Sequence, residues 1–277
     1  MDNNAGSVRD ALFAICILAA GASCRAHELK VPMDQTTLEP LARKLGVHSP
    51  ISAEEREALL SLPFSRRSVH AHAQLFHRTD PARHCCVLLD GYAGRYKLLR
   101  DGSRQILAVL MRGDSVGLQR ALFGRADHSV EMLTGGVVAS ISVADLEELL
   151  SAHPRLMRVL WSDTLFDGAI QREWILNVGR RSALARLAHL VCEMGVRHEQ
   201  QGIGRRDEFD LPLTQSHVAD CTGLTAVHVN RTLRALDERK LVNKSRGKVS
   251  VGDWASLANV AGFDAQYLLA DLSGPQL

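Results

Sequence analysis

The feature that most constrains the fold is a change of sequence pattern near residue 143. From Ser68 to Ser142 the chain consists of short apolar segments of β type, separated by glycine-containing turns. After Ala144 the apolar residues recur three and four positions apart, which is the spacing of helices. Short strands joined by glycine turns are typical of a small antiparallel barrel or roll. The pattern therefore predicts an α+β protein, with a barrel followed by a mainly helical part.

Two short helices are predicted before the barrel. The first covers TTLEPLARKLG, and the second begins after Ser52, which has the capping-box spacing to Glu55. The predicted β segments are VHAHAQLF, HCCVLLDGYAGRYKLL, RQILAVLM and VVASISV, with a turn at Asp90-Gly91.

Composition excludes several classes of protein. Of the 277 residues 46% are hydrophobic, which is enough to bury a core and too many for a disordered chain. The formal net charge of +2 excludes a histone-like polycation. The charge is nevertheless uneven, because the segment from Val178 to Gly252 contains 13 Lys and Arg against 8 Asp and Glu. A basic surface is therefore expected in the C-terminal part.

The cysteines predict no disulfide framework. They contain no CxxC pair and no regular spacing, so a reducing cytosol is the expected environment. For the adjacent Cys85 and Cys86 we favour packing in a strand, with a redox-active pair or a soft-metal site as the alternative. The six cysteines are Cys16, Cys24, Cys85, Cys86, Cys192 and Cys221.

The longest apolar run, Ala11–Cys24, is too short to cross a membrane. It has 14 residues, whereas a spanning helix needs about 20. Asp10 directly follows Arg9, so the basic start of a secretory signal is weak. We interpret residues 1–32 as a loosely ordered extension or the product of a misplaced start codon. A cytoplasmic protein without a membrane partner is expected.

A long helix is predicted to start at Pro154 and to run to about Val178, since proline is favoured at the first helical position. About 24 residues correspond to ~36 Å, which is more than a small barrel covers. We therefore favour self-association through the apolar stripe over burial against the chain's own barrel, although Asp163, Glu173 and Asn177 interrupt the seam. The stripe consists of Leu156, Val159, Leu160, Phe166, Ile170 and Trp174.

The segment that follows Leu213 has the spacing of a helix-turn-helix. A first helix is predicted over Gln215–Cys221, Gly223 relieves the turn, and Thr225 caps a second helix through VHVNRTLRALDERK. The back of the second helix is formed by Val229, Leu233 and Leu236, and its opposite face by Val227, His228 and Arg231.

This opposite face is the expected DNA-reading surface, because a recognition helix places its N-terminal turns against base edges in the major groove. Arg231 can bond guanine bidentately, His228 can donate to a base or a phosphate, and Val227 can contact a thymine methyl group. Asn230 lies near the sugar-phosphate edge. A helical hairpin with a solvated charged face is the alternative.

A basic hairpin follows the second helix and completes a winged-helix pattern. Two short β segments surround a Ser-Arg-Gly turn. Lys244, Arg246 and Lys248 are expected to neutralise DNA phosphates, which adds affinity without sequence information.

These segments together resemble the Crp/Fnr family of bacterial transcription regulators, which includes the cyclic-AMP receptor protein and FNR. The resemblance covers about residues 33–257 and is carried by LLDGYAGRYKLLRDGSRQI, RGDSVG, RRSALARLAHL and LTQSHVADCTGLTAVHVNRTLRALDERKLV. It implies a cyclic-nucleotide-binding-type β-roll or jelly-roll barrel, a dimerisation helix and a winged helix-turn-helix. It further implies a homodimer that binds a two-fold symmetric operator and contacts RNA polymerase. Val227, His228 and Arg231 match the family's base-reading positions; Thr214, Gln215 and Thr225 match its phosphate-contacting positions.

The predicted effector pocket departs from the family pattern. Members that hold cyclic AMP have a Gly-Glu pair for the ribose and an Arg-Ser pair for the phosphate. This chain has Gly117-Leu118 and His128-Ser129 at these places, and Glu131 adds a repelling charge. Histidine has an ordinary pKa of ~6.5, so His128 is mostly neutral at pH 7. No response to cyclic AMP is expected. With only Cys16 and Cys24 near the N-terminus, no iron-sulfur cluster or other cofactor is predicted.

Two alternatives stay open beside an effector-controlled regulator. One is a DNA-binding dimer that needs no ligand. The other is a cupin-like metalloenzyme, in which His70 and His72 share one face of a strand and ligate a metal. The cupin pattern also needs an upstream glycine and a downstream glutamate that are missing here, so we predict neither a metal nor an enzyme.

The sequence therefore predicts a homodimeric, sequence-specific transcription regulator. Its expected segments are an extension (1–32), a sensor barrel with flanking helices (33–153), a dimerisation helix (154–178), a winged helix-turn-helix (179–257) and a tail (258–277).

Overall fold

The computed structural model describes residues 38–78, 80, 83–118, 124 and 126–268. The predicted extension at residues 1–32, with Cys16 and Cys24, lies outside these residues, as does the end of the tail, residues 269–277. Among the helices of the described part, none is long and apolar enough to cross a membrane.

The N-terminal part is a β-roll, as the glycine-punctuated pattern predicts. Its described strands are β1 (Ser65–Val69), β2 (Gln74–Phe76), β3 (His84–Asp90), β4 (Ala93–Leu98), β5 (Arg104–Leu110), β6 (Ser115–Val116), β7 (Ser129–Met132) and β8 (Gly136–Ser142). They form two four-stranded antiparallel sheets, with the orders β1-β8-β3-β6 and β2-β7-β4-β5. Leu88, Met132 and Val138 are fully buried in one apolar cluster of the roll.

The turn between β3 and β4 shows why the roll requires glycine. Gly91 has φ +82°, and a Cβ atom at this position would lie 2.5 Å from the carbonyl oxygen of Gly135. Only glycine combines this left-handed backbone with so close an approach. The predicted Asp90-Gly91 turn is therefore confirmed.

The predicted strand VHAHAQLF is divided in the structure. β1 ends at Val69 and β2 begins at Gln74, because the chain turns between them to cross from one sheet to the other. His72 has φ +66° in this turn, and its backbone N–H donates to the carbonyl oxygen of Met132 (2.7 Å). His70 and His72 therefore do not share a strand face, and the geometry expected for a metal-binding pair is wrong.

Two helices, α1 (Glu39–His48) and α2 (Ala53–Leu60), cover one side of the roll. The capping box predicted for α2 is present: the Glu55 N–H donates to Ser52 Oγ (3.1 Å), and the Ser52 N–H donates to Glu55 Oε2 (2.8 Å). Leu38, Leu45 and Leu59 bury their side chains in one apolar cluster with residues of β3 and β8.

The long helix, α4 (Pro154–Arg180), follows a shorter helix α3 (Val143–Ala152) and begins at the predicted proline. The apolar stripe that we expected to self-associate, including Phe166 and Trp174, is buried within the chain itself. Asp163 and Asn177 are buried on the same face: Asp163 pairs with Lys44, and Asn177 Nδ2 donates to a backbone carbonyl. The predicted seam is therefore wrong, because both halves of the chain cover that side.

The C-terminal part is a winged helix extended by further helical structure. Its elements are α5 (Ala183–Gln201), β9 (Glu208–Asp210), α6 (Gln215–Thr222), α7 (Ala226–Glu238), β10 (Val242–Ser245), β11 (Lys248–Val251), α8 (Trp254–Ala261) and a 3₁₀ turn (Ala265–Leu268). The strands form one antiparallel sheet of order β10-β11-β9. Leu257, Ala261 and Leu268 are buried, so the described end of the chain packs into the same core.

Buried charges join the two parts. Asp114, in the turn between β5 and β6, accepts from Arg197 Nη2 of α5 (2.7 Å) and lies 3.1 Å from Lys44 Nζ of α1. Lys44 Nζ is also 2.8 Å from Asp163 of α4. All four side chains are at least nine-tenths buried, so this buried ion cluster ties the roll to both long helices.

Candidate nucleic-acid interface and sensor cavity

The helix-turn-helix forms as its capping residues predict. Thr214 Oγ1 accepts from the His217 N–H (3.1 Å) at the start of α6, and Thr225 Oγ1 accepts from the His228 N–H (3.2 Å) at the start of α7. Gly223 ends α6 with φ +64°, a left-handed helix C-terminus. Val229 and Leu236 are fully buried behind α7, which leaves its other face to solvent.

That outer face contains the residues predicted to read DNA. Val227 is 82% exposed, an unusual degree for an apolar side chain at the start of a helix. Arg231 is also exposed, whereas His228 and Asn230 are half-buried. The predicted phosphate-contacting residues Thr214, Gln215 and Thr225 are all exposed.

A concave surface of about 600 Å³ brings several of these side chains together. Gln215, Val227, Asn230 and Arg231 line it, together with Arg234, which the sequence reasoning missed. Arg234 lies three positions after Arg231, and this helical spacing is the signal that could have identified it. The surface therefore joins the first turn of α6 to the outer face of α7.

The wing holds its basic residues in two different ways. Arg246 and Lys248 are exposed at the β10–β11 turn, where Arg246 has φ +50°. Lys244 instead donates from Nζ to the carbonyl oxygen of Leu213 (2.6 Å), and burial lowers its pKa. Lys244, which was expected to neutralise a DNA phosphate, therefore attaches the wing to the loop before α6.

The four predicted effector residues have different neighbours among the residues that the structure describes. Leu118 packs into the apolar cluster under α1 and α2, and Gly117 lies beside Phe76 with φ +86°. Ser129 is buried, and its Oγ accepts from the Arg78 N–H (3.2 Å). His128 lines a cavity between the roll and α4.

His128 is held in its neutral form. Burial lowers its pKa, against the opposing effect of Asp127, whose Oδ1 lies 2.8 Å from His128 Nδ1. A neutral imidazole cannot replace the arginine that binds a cyclic phosphate.

The charge of Glu131 is compensated, contrary to the expectation that it repels a bound phosphate. Its carboxylate forms an ion pair with Arg104 and accepts from Gln74 Nε2 (3.3 Å). The Arg104 guanidinium is shared, because its Nε donates to Asp220 Oδ2 of α6 (2.7 Å). The sequence could not reveal this pairing, since Asp220 and Arg104 are 116 positions apart.

A cavity of about 450 Å³ lies between strands β4 and β5 and helix α4. Its apolar wall includes Ile106 and Trp174, and its polar groups include Arg95 and Lys97. Arg95 Nη2 donates to Asp167 (3.1 Å), but its buried Nε finds no hydrogen-bond partner among the described residues. The cavity can therefore offer a guanidinium N–H beside an aromatic surface.

Cys85 and Cys86 lie on opposite faces of β3. Cys85 packs into the cluster beneath α1 and α2, whereas Cys86 packs into the interior cluster of the roll. All four cysteines of the described part are buried and reduced. Burial raises the pKa of Cys192 to about 12, so its thiol is unreactive at neutral pH.

Two families match separate parts of the chain. Residues 66–153 match the cyclic nucleotide-binding domain family, and residues 185–260 match the Crp-like helix-turn-helix domain family. The matched segments coincide with the β-roll and with the winged helix.

Curated relatives share both parts. The nitrogen fixation regulation protein FixK of Bradyrhizobium diazoefficiens is 29% identical over 175 residues, which are 63% of this chain and 72% of that protein. The transcriptional activator protein FnrL of Cereibacter sphaeroides is 28% identical over 228 residues, which are 80% of this chain and 90% of that protein. The first name describes a regulator of nitrogen fixation and the second an activator of transcription, in agreement with the prediction that this chain is not an enzyme.

The fold is also that of a solved regulator. The structure of FixK2 from Bradyrhizobium japonicum superposes with a TM-score of 0.65 at 24% identity, covering 72% of this chain and 98% of that one. With a cyclic nucleotide-binding domain, a long helix and a Crp-type winged helix-turn-helix in this order, the chain belongs to the Crp/Fnr family of DNA-binding transcription regulators.

Proposed function

We propose that the protein is a homodimer that binds a two-fold symmetric operator and places one α7 helix of each protomer in the major groove. The observation that carries this proposal is the concave surface around Val227 and Arg231, which joins exposed polar groups to an apolar side chain that no described residue covers. An apolar residue so exposed at the start of a helix suits contact with a thymine methyl group.

The residues divide into two roles. Val227, His228 and Arg231 read base edges, and Arg231 bonds guanine O6 and N7. The other contacts hold the sugar-phosphate backbone and carry no sequence information. These contacts come from Thr214, Gln215, Thr225, Asn230, Arg246 and Lys248, with Arg234 added by its position on the same surface.

The homodimer forms through the outer face of α4, not through the stripe expected from the sequence. Trp161 is 67% exposed on this face, a large apolar surface for a residue within a 27-residue helix. A second copy of the helix would cover it in a parallel pair. The apolar residues exposed there are Met157, Trp161, Leu165, Ile175, Leu176 and Val178.

The effector is a small molecule other than cyclic AMP. Gly117-Leu118 and His128-Ser129 lack the charged groups that hold a cyclic nucleotide, so we assign effector binding to the cavity that His128 and Trp174 line. A bound effector would shift the packing of α4 and thereby the spacing of the two α7 helices, about one DNA turn of ~34 Å apart. We also propose that the protein contacts RNA polymerase. It acts in the cytoplasm, where the DNA is.

The test is selection of DNA from a random-sequence pool by the full-length protein. We expect a palindromic consensus with half-sites one helical turn apart. Arg231→Ala should weaken binding to this sequence by ~1–3 kcal/mol and relax the preference at one base pair, while Lys248→Ala should weaken consensus and random DNA alike. A non-palindromic consensus, or equal losses for Arg231→Ala on both DNAs, would contradict the proposal.

A further inference from the structure

The first helix of the helix-turn-helix rests directly on the β-roll. Gln105 Nε2 of β5 donates to the carbonyl oxygen of Asp220 (2.7 Å), and Arg104 Nε donates to the Asp220 carboxylate (2.7 Å). Carbonyl groups at the end of a helix have no partner within it. The roll therefore supplies some of the hydrogen bonds that the C-terminal end of α6 needs, and Arg186 of α5 supplies another to the carbonyl oxygen of Thr222.

The N-terminal end of α6 meets the roll through two histidines. The His217 ring lies 5.9 Å from the ring of His72, measured between centroids, and His72 belongs to the turn that separates β1 from β2. His217 is only 3% exposed. This contact and the one at Asp220 together define the roll–α6 junction.

His217 has a second role, which depends on its protonation state. The imidazole Nδ1 of His217 accepts a hydrogen bond from the backbone N–H of Thr214 (3.4 Å), while the backbone N–H of His217 donates to Thr214 Oγ1 (3.1 Å). This is a capping box with histidine at the position usually taken by Glu or Gln. Only an unprotonated Nδ1 can accept this hydrogen bond.

The charges around His217 disfavour its protonation. Burial has the largest effect on its pKa, which Arg104 and His72 lower further and which Asp220 and Glu131 oppose. Both opposing carboxylates already pair with Arg104. Lys244 also reaches this end of the helix, where it donates to the carbonyl oxygen of Leu213, and the positive end of the helix dipole adds to the unfavourable field.

We propose that His217 is an acid-sensitive latch, which holds α6 against the β-roll while it is neutral and releases it on protonation. The proton would convert the accepting Nδ1 into a donor and place a cation beside Arg104, at a helix N-terminus. A histidine whose pKa is lowered in the docked form binds its proton more readily after release. Docking is therefore complete above the ordinary histidine pKa of ~6.5 and weakens as the pH falls below it.

Release of α6 should affect DNA binding because of where His217 lies, and this inference rests on the proposed function. Thr214 and Gln215 form the end of α6 that His217 caps, and both are proposed phosphate contacts. When α6 is released from the roll, these two residues are no longer held in place. The orientation of α7, which packs against α6, is then no longer fixed either. Affinity for the operator should therefore fall in acid.

The experiment compares the wild type with His217→Gln on the DNA sequence selected at pH 7.5. Glutamine preserves the capping box and cannot be protonated. At constant ionic strength, wild-type affinity should fall by about threefold to tenfold relative to His217→Gln between pH 7.5 and 5.5, the upper limit being set by one proton and an ordinary pKa of ~6.5. All other titratable groups are the same in both proteins, so their effects cancel in this ratio. His84→Gln, at an exposed position of β3, is the matched control and should follow the wild type.

Hydrogen exchange without DNA separates this proposal from the proposed function. After correction for the intrinsic pH dependence of exchange, the backbone amides of α6 should lose protection in acid in the wild type but not in His217→Gln. Equal pH profiles for these two proteins, in DNA binding or in exchange, would overturn the latch. If the wild type selected no DNA, the proposed function would fail while the exchange experiment still decided the latch.

Discussion

Replacing Lys44 with methionine should destabilise the protein by about 3–5 kcal/mol, the range measured when one partner of a buried ion pair is removed. Methionine preserves most of the apolar stem of lysine, so the variant tests the charge rather than the packing. Lys44 Nζ lies 2.8 Å from Asp163 and 3.1 Å from Asp114, and its side chain is only 9% exposed.

The magnitude follows from these distances. At an effective dielectric constant of about 20, two unit charges 3 Å apart attract each other by roughly 5–6 kcal/mol. Lys44 has two such partners, but its own desolvation and that of the carboxylates oppose the attraction by several kcal/mol per ion. In the variant, Arg197 still compensates the charge of Asp114. The decrease in the free energy of unfolding therefore comes mainly from the lost contact between Lys44 and Asp163.

Urea unfolding at fixed protein concentration is the appropriate assay, because association would otherwise change the apparent stability. Arg56→Met is the matched control, since Arg56 forms a solvent-exposed ion pair with Glu39 of the same helix, and the loss of such a pair should change the stability little. Equal stabilities of Lys44→Met and Arg56→Met would refute the reasoning.

The pH dependence adds a second check. Burial raises the pKa of Asp114, but Lys44 and Arg197 outweigh this effect and hold the pKa below its ordinary value. A carboxyl group with a lowered pKa stabilises the fold above its unfolded pKa, and this contribution disappears as the pH falls. The difference between wild type and Lys44→Met should therefore shrink below about pH 4.

Three further predictions concern association, thiol reactivity and backbone packing. Trp161→Glu should convert the proposed dimer into a monomer in analytical ultracentrifugation, whereas Arg180→Glu, at the exposed last residue of the same helix, should leave the mass unchanged. Cys192 should resist alkylation by iodoacetamide at pH 8 in the native protein and react in urea, as peptide mass spectrometry would show; modification of the native thiol would contradict its burial. Gly195→Ala should destabilise the protein by about 1–3 kcal/mol, because the new Cβ would lie 2.4 Å from a backbone oxygen, whereas Gly46→Ala, with open space at a helical position, should stabilise it by up to about 1 kcal/mol in thermal unfolding.

The elements that the sequence predicted correctly depend on local interactions. The capping box at Ser52, the left-handed Gly223 and the Thr225 cap each involve residues within four positions of one another. Backbone dihedral preferences and short hydrogen bonds of this kind are properties of the segment itself. The β-roll, the long helix and the helix-turn-helix were therefore predictable, as was the outer face of α7.

The buried face of α4 was not predictable, because the helix has two apolar faces. Periodicity identified the face with Phe166 and Trp174 but could not show what would cover it. Residues of both halves of the chain cover this face, and the face with Trp161 is left exposed. Helical spacing shows which residues lie together, while burial depends on elements far away in the sequence.

The sequence by itself determined the fold class, the order of the two domains and the recognition helix. Only the tertiary structure decided that His72 meets His217, that Arg104 compensates Glu131 and Asp220, and that Lys244 attaches the wing to the preceding loop. Charges and hydrogen bonds act over a few ångströms in space, and the partners in these contacts are 27–145 positions apart along the chain. No local pattern could have paired them.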